Sequence, residues 1–410
     1  MIIKRNKRLF SNAAALSVLQ IFNYVAPLLI LPYLTRVFTV EEFGTVMVAM
    51  AIVQFSFVIT DFGFSLSAVY SISKNRENRV YINNLVSRIF SAKIILLFIA
   101  LLCVLGVSYV PAFNNYQIIF LSGIIAVVAQ AYQPLWLFHG LEKMKYFTVY
   151  MACTKVLYVL LVFVLINESG DGWLVLMSWS LANLIGMIVS LIMIKKMKYE
   201  VGFSSLDLAL SELKKGVEYF WSRLAVSFYT SASSIIVGAY GLNQAAMYTS
   251  AEQVYKAGQA VTSPINQAMY PYMAKEKNWG LFFKLVIVVL LVLLAGVSFV
   301  GYFASFFIGV IFGSQYLDAV PVLWVMLATL LINYVAVSFG YPACAAIDRN
   351  DIANKSVNIG FVLFAIILSI LVVFEAVTAL SVSISVLVVE LFVMTYRLVF
   401  FFRGYNAGRI

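Results

Sequence analysis

Long apolar runs alternate with short polar links along the whole chain. A helix needs about 20 mostly apolar residues to cross a bilayer. The pattern therefore predicts an all-α polytopic membrane protein with twelve transmembrane helices. We place these spans at about 10–36, 43–70, 82–108, 116–138, 146–167, 173–194, 217–240, 244–272, 281–309, 317–341, 352–374 and 377–401.

Polar residues recur at helical spacing inside several predicted spans. The eighth span carries Glu252, Lys256, Gln259, Ser263 and Asn266 at intervals of four, three, four and three, which places them on one helix face. A lipid-facing helix gains nothing from such a stripe, whereas a helix that lines a cavity can use it. Similar stripes mark spans one, two and seven. The candidate cavity residues are Asn23, Gln54, Lys155, Arg223, Ser227, Lys256, Gln259 and Asn266.

Three acids within the apolar runs are candidate sites for a coupling ion, H⁺ or Na⁺: Asp61, Glu252 and Glu390. Structural alternatives stay open for each cluster. Glu252 and Lys256 could simply neutralise each other at i and i+4, and Asp61 could cap or pair with a neighbour. Arg223 could extend to the inner headgroups. Of the lysines at positions 93 and 155, we expect the second to lie closer to the interior, and Glu390 can pair with Arg397, seven residues on.

Composition and charge narrow the class further. The chain is 63% hydrophobic and 11% charged, which excludes a soluble domain. The net charge of +10 comes from lysines and arginines in alternate links, so we predict cytoplasmic termini and no nucleic-acid partner. Three scattered cysteines and the single histidine, His139, predict no cofactor and no metal. The phosphate loop and the HExxH and GxSxG motifs are absent, so we do not expect an enzyme.

The longest polar link divides the chain near its middle. We predict an N-terminal six-helix lobe at 1–198, a cytoplasmic linker at 199–216 and a C-terminal six-helix lobe at 217–410. Each half opens with a polar-striped span, a very short outer link and a second striped span. Six spans return the chain to the same side, so the halves are expected to be parallel repeats.

Four stretches resemble Wzx-type O-antigen flippases, in the polysaccharide-transport branch of the MOP exporter superfamily. They are Leu31–Gly44 (LPYLTRVFTVEEFG), Asp61–Ala68 (DFGFSLSA), Ser71–Arg76 (SISKNR) and Pro134–Glu142 (PLWLFHGLE). The resemblance implies two six-helix lobes of the MOP or MATE type around a central cavity, lined mainly by spans one, two, seven and eight. It also implies multi-pass insertion in the bacterial inner membrane.

The same resemblance implies a substrate and a mechanism. An undecaprenyl-pyrophosphate-linked oligosaccharide repeat unit would pass from the cytoplasmic to the periplasmic leaflet by alternating access, for O-antigen or a related surface polysaccharide. Membrane lipids are then partners, together with a polysaccharide polymerase and a chain-length regulator.

Two rival functions are a MATE-like drug/cation antiporter and a membrane-embedded polysaccharide enzyme. A cation exporter is expected to use carboxylates, whereas the interior candidates here lean towards positive charge. A polymerase is expected to have a large outer loop, and every predicted outer link is short.

Overall fold

The computed structural model describes residues 26–27, 29–347 and 349–406, and these are helices joined by short links without a β-strand. The predicted all-α polytopic class is confirmed. The first predicted span lies mostly outside the described residues, and Asn23 lies there with it. The chain divides into two compact units, Met1–Ser227 and Phe228–Ile410.

The described part of the first unit starts with helical residues 26–27 and 29–37. The elements that follow are α1 (Val40–Asp61), α2 (Phe64–Lys74), α3 (Arg79–Ser108), a 3₁₀ helix (Pro111–Tyr116), α4 (Gln117–Ser122), α5 (Ile124–Ala131), α6 (Leu135–Gly140), α7 (Met144–Leu165), α8 (Gly172–Lys196) and the first part of α9 (Leu206–Tyr240).

The second unit contains the remainder of α9. It continues with α10 (Leu242–Glu276), α11 (Trp279–Tyr302), α12 (Ala304–Ile311), a 3₁₀ helix (Ser314–Ala319), α13 (Val320–Ser338), α14 (Tyr341–Ala346), α15 (Asn350–Val373) and α16 (Ala379–Asn406).

Eight helices among the described residues are long and apolar enough to cross a membrane, and a bent pair, Pro111–Ser122 with Ile124–Gly140, would make nine. Predicted spans seven and eight fall on α9 and α10, each 35 residues long, which carry the polar stripes and are less apolar than those eight. The count of twelve therefore stays a prediction.

The two units share an order of elements. Asn78 caps the start of α3 by accepting a hydrogen bond from the amide of Tyr81 at 3.0 Å, and Asn278 caps α11 through the amide of Leu281 at 3.0 Å. In both units a 3₁₀ turn and then an interrupted helix follow, with the short helix α12 inserted before the turn in the second unit. The predicted linker is partly helical, because α9 begins at Leu206. The lobe boundaries themselves remain predictions.

A sharp break separates α1 from α2. Phe62 and Gly63 adopt φ values of 46° and 79°, so both occupy the left-handed region. Glycine is needed at the second position, because a Cβ there would lie 2.7 Å from the Cβ of Tyr219 in α9. The Phe62 ring stacks on Phe220 with the centroids 4.3 Å apart. The break thus packs the end of α1 directly against the first part of α9.

Helix α11 presents an exposed apolar surface. Leu291 and Val292 are 59% and 66% exposed, and Ile287 is also exposed. A helix that is apolar on its exposed sides is typical of one facing acyl chains.

Candidate functional site

The break after α1 places an acid beside a cation. The Nη1 atom of Arg223 lies 2.5 Å from Oδ2 of Asp61, and the hydroxyl of Ser65 donates to the same oxygen at 2.9 Å. Arg223 also donates to Ser65. The Arg223 side chain is still 43% exposed. Its Nη1 donates to Asp61 and Ser65, while other N–H donors of the guanidinium remain accessible. The structure therefore pairs a candidate coupling residue with a candidate substrate residue.

A second cation approaches the same acid. Lys93 in α3 is 3% exposed, donates to the carbonyl of Thr60 at 3.2 Å and interacts electrostatically with Asp61. Counted as formal charges, one carboxylate and two basic side chains leave a surplus of one positive charge. Lys93 is the more buried of the two lysines, whereas the sequence favoured Lys155, which is half-buried. A carbonyl at the end of a helix and a nearby acid are what make Lys93 tolerable inside.

In the second unit, Glu252 and Lys256 form the ion pair that remained open from the sequence. Their charged atoms lie 2.9 Å apart, with Glu252 almost fully buried and Lys256 38% exposed. Ser234 donates to the same carboxylate oxygen at 3.4 Å. The negative charge of Glu252 is therefore compensated by a residue one helical turn away. Lys256 is the more accessible member of the pair.

The rest of the α10 stripe connects to α13. The side-chain amide of Gln259 donates to the hydroxyl of Tyr255 at 2.8 Å and to Oδ1 of Asn333 at 3.0 Å. Asn333 in turn hydrogen-bonds the buried carboxyl of Glu390. A polar chain thus runs from α10 through α13 to α16. A single amide within the apolar run of α13 is the sequence signal that would have identified Asn333.

About two turns after Gln259 on α10, Asn266 accepts a hydrogen bond from the hydroxyl of Ser338 at 3.1 Å, and both residues are buried. The stripe residue Asn266 is therefore engaged in helix packing between α10 and α13. This contact is typical of polar residues that join helices inside a membrane protein.

Arg397 fastens three helices of the second unit. Its guanidinium donates to the hydroxyl of Ser356 at 2.8 Å, to the carbonyl of Ala336 at 2.6 Å and to the carbonyl of Ala353 at 3.2 Å. Arg397 also interacts electrostatically with Glu390. A planar guanidinium with five donors suits such a divided set of acceptors. Arg397 is thereby built into the packing of α13, α15 and α16.

The remaining predicted cavity residues make fewer contacts. Gln54 is exposed on α1, and Ser227 is half-buried on α9. Asn23 lies outside the described residues. No group of three or more histidine, cysteine, aspartate or glutamate side chains comes together as a metal site within the described part of the chain.

Two of the family-like stretches meet in the first unit. Arg76 pairs with Glu142 at 3.0 Å and donates to the carbonyl of Gly140 at 3.2 Å. A Cβ on Gly140 would lie 2.7 Å from the Cβ of Ile72, so α2 and α6 pack at very short range. The contact between α2 and α6 is thus formed by two of the stretches that resemble the family, Ser71–Arg76 and Pro134–Glu142.

The stretch Leu31–Gly44 contains a buried carboxylate, Glu42, to which the sequence analysis gave no role. Glu42 is 5% exposed and accepts hydrogen bonds from the amides of Gly170 at 3.0 Å and Gly172 at 2.8 Å, and from the hydroxyl of Ser169 at 2.9 Å. Thr39 caps α1 by accepting from the amide of Glu42 at 3.2 Å. A capping threonine three residues before a glutamate is the signal that predicts this helix start.

Solved structures define the class to which this fold belongs. The chain is similar to the lipid II flippase MurJ in an inward closed conformation, with a TM-score of 0.71 and 12% identity over 98% of this chain and 93% of that one. It is also similar to an inward-facing MATE multidrug resistance transporter, with a TM-score of 0.64 and 15% identity over 95% of this chain and 94% of that one. The chain therefore has the fold of these two transporters, the second of which is described as a member of the MOP superfamily.

Sequence relatives narrow the class to a family. Residues 9–277 match the polysaccharide biosynthesis protein family, and the chain belongs to it. A protein of Escherichia coli strain K12 named "Putative O-antigen transporter" is 29% identical over 63% of this chain and 63% of its own length. One of Shigella dysenteriae with the same name is 30% identical over 65% of this chain and 67% of its own. The predicted resemblance to Wzx-type proteins is confirmed.

Proposed function

We propose that this protein moves an undecaprenyl-pyrophosphate-linked oligosaccharide repeat unit from the cytoplasmic to the periplasmic leaflet of a bacterial inner membrane, for O-antigen or a related surface polysaccharide. The observation that carries the proposal is the surplus of positive charge around Asp61, where Lys93 and Arg223 face one carboxylate. A pyrophosphate brings negative charge into a region where uncompensated charge is strongly disfavoured. The family and the names of the relatives point to the same class of cargo.

In this proposal Arg223 exchanges partners. Its guanidinium is held by Asp61 and Ser65 when the substrate is away, and its exposed donors receive a phosphate oxygen when the substrate enters. Asp61 keeps the cation in place and prevents it from binding the phosphate too tightly for release. Lys256, whose charge is balanced by Glu252 but whose ammonium is partly exposed, supplies a second weak contact.

Alternating access requires an energy source, and we propose that Glu390 carries the coupling ion, H⁺ or Na⁺. Asp61 and Glu252 each have a cation within 3 Å, whereas Glu390 is buried beside the neutral amide of Asn333 and in the field of the more distant Arg397. A buried carboxyl in a neutral polar chain can change its protonation or bind a cation. Glu390→Gln should abolish dependence of transport on the ion gradient while protein remains in the membrane. Unchanged gradient dependence would remove Glu390 from this role.

The MATE-like fold keeps a drug/cation antiporter as the second candidate. Export of a drug cation needs an accessible carboxylate that is free to receive it. Asp61 and Glu252 are each paired with a cation, and Glu390 is only 4% exposed. A deletion strain should therefore lose surface polysaccharide and keep normal growth on toxic cations. The reverse pattern would favour the antiporter.

The direct test is complementation of a flippase-null strain with variants at matched membrane levels. Arg223→Ala should restore much less surface polysaccharide than the wild type, Arg223→Lys an intermediate amount, and Asp61→Asn more than Arg223→Ala because it retains the cation. Lys214→Ala, which removes an exposed cation from the same helix, is the matched control. Normal polysaccharide with alanine at positions 155, 223 and 256 together would refute substrate handling by these cations.

A further inference from the structure

A separate cavity of about 520 Å³ lies within the first unit, away from the Asp61 cluster. It is formed by the start of α1 with the link before it, the residues around the 3₁₀ turn Pro111–Tyr116, and the start of α8 with the link before it. Its size falls within the range of about 300–1,000 Å³ that holds small ligands. The charge bias of the sequence assigns all three links to the outer side of the membrane.

The floor of this cavity is rigid. Glu42 forms part of the lining, and its two oxygens are occupied by the amides of Gly170 and Gly172 and the hydroxyl of Ser169, at 2.8–3.0 Å. Such a network fixes the positions of the link residues before any ligand arrives. A preformed wall lowers the entropic cost of binding.

The other walls combine aromatic rings with accessible polar groups. Trp173 and Tyr116 are half-buried, and Ile118 adds apolar surface. Glu41 and Asn115 are exposed, and neither side chain takes part in a hydrogen bond or ion pair within the part of the chain that the structure describes. Aromatic faces beside a carboxylate and an amide offer stacking and hydrogen-bond partners on adjacent sides of one ligand.

We propose that this cavity binds a neutral pyranose sugar. A pyranose ring has a face of C–H groups that stacks on an aromatic ring, and hydroxyl groups at its rim that donate to a carboxylate and exchange hydrogen bonds with an amide. No cationic side chain lines the cavity among the described residues, and Glu41 and Glu42 make it negative. Uronic acids and phosphates are therefore excluded by like charge.

The site gives the oligosaccharide a place to dock as it reaches the outer side. This role rests on the proposed function, because that function supplies the sugar. Binding at this end would retain the saccharide on the outer side and disfavour its return. The site belongs to the first unit alone and needs no movement of the protein to form.

Binding is tested on the purified full-length protein in nanodiscs or a detergent without a sugar headgroup, since glycosidic detergents would compete. Saturation-transfer difference NMR is recorded with methyl β-D-galactopyranoside and N-acetyl-D-glucosamine, and with D-glucuronate as the anionic comparison. Signal is expected from at least one neutral sugar and not from glucuronate. Trp173→Ala should weaken the binding about three- to tenfold, as expected for loss of an aromatic contact.

Two further variants keep the test decisive. Asn115→Ala changes an exposed side chain and should weaken binding without disturbing the fold, and Trp324→Ala, in the second unit, should leave binding unchanged. Absence of signal from both neutral sugars, equal signal from wild type, Trp173→Ala and Asn115→Ala, or equal binding of glucuronate would each overturn the proposal. This measurement does not depend on transport. Loss of sugar binding with normal polysaccharide complementation would overturn only this site, and failed complementation with normal sugar binding would overturn only the proposed function.

Discussion

Replacing Glu42 by alanine should destabilise the first unit far more than the same change at its neighbour Glu41. Glu42 is 5% exposed and receives three donors, two of them backbone amides, one from the link before α8 and one from the first residue of α8. Alanine removes the acceptor and leaves the buried amide of Gly172 without a partner. Glu41 is exposed and accepts none of these bonds.

The size of the effect follows from those contacts. Hydrogen bonds to a charged group contribute about 1.5–3 kcal/mol each, and the desolvation cost of the buried carboxylate offsets part of the sum. Water can replace the carboxylate at the exposed Gly170 and Ser169 but not at Gly172. We therefore expect Glu42→Ala to lower the free energy of unfolding by about 2–4 kcal/mol. Glu42→Gln keeps one carbonyl oxygen for the amides and should cost about 1 kcal/mol.

The assay is thermal unfolding of the purified protein, followed by tryptophan fluorescence at one fixed heating rate because such unfolding is irreversible. For a unit of this size, 2–4 kcal/mol corresponds to a fall of roughly 4–16 °C in apparent Tm. Glu41→Ala should melt with the wild type. Equal melting of the two alanine variants would refute the assignment of Glu42 as the anchor of this link.

Two further predictions concern packing in each unit. Gly140→Ala should lower the apparent Tm because the new Cβ would lie 2.7 Å from that of Ile72, whereas Gly309→Ala meets open space and should not; a lack of difference would contradict the close approach of α2 and α6. Arg397→Lys should reduce the folded fraction in size-exclusion chromatography, because an ammonium cannot reach the Ser356 hydroxyl and two carbonyls on separate helices as a guanidinium does. A normal elution profile would show that this clamp is dispensable.

The class of fold could be predicted from the sequence because it depends on local properties of the chain. A run of apolar residues must satisfy its backbone within the membrane, and a helix does so without help from distant residues. The predicted spans from the second onwards fall on helices, and the polar stripes fall on α9 and α10. The capping pair Thr39 and Glu42 is likewise a local signal.

Partners across the fold were decided only by the tertiary structure. Periodicity placed Asp61 and Arg223 on polar faces with separate roles, yet they are 162 residues apart and form one ion pair. The same sequence reasoning favoured Lys155 over Lys93 for the interior, yet Lys93 is the more buried of the two. Depth along a helix does not reveal how closely the neighbouring helices pack against a side chain. Only the packed structure supplies the Thr60 carbonyl that accommodates Lys93.

The anchors Glu42 and Arg397 show the same limit. Glu42 binds a link 127 to 130 residues away, and Arg397 binds acceptors 41 to 61 residues away on two other helices. Helical spacing indicates which residues share a face of one helix. An ion pair between helices depends on which face of another helix is brought within about 3 Å of it. That choice is made by the summed packing of many apolar contacts, and no single motif in the chain encodes it.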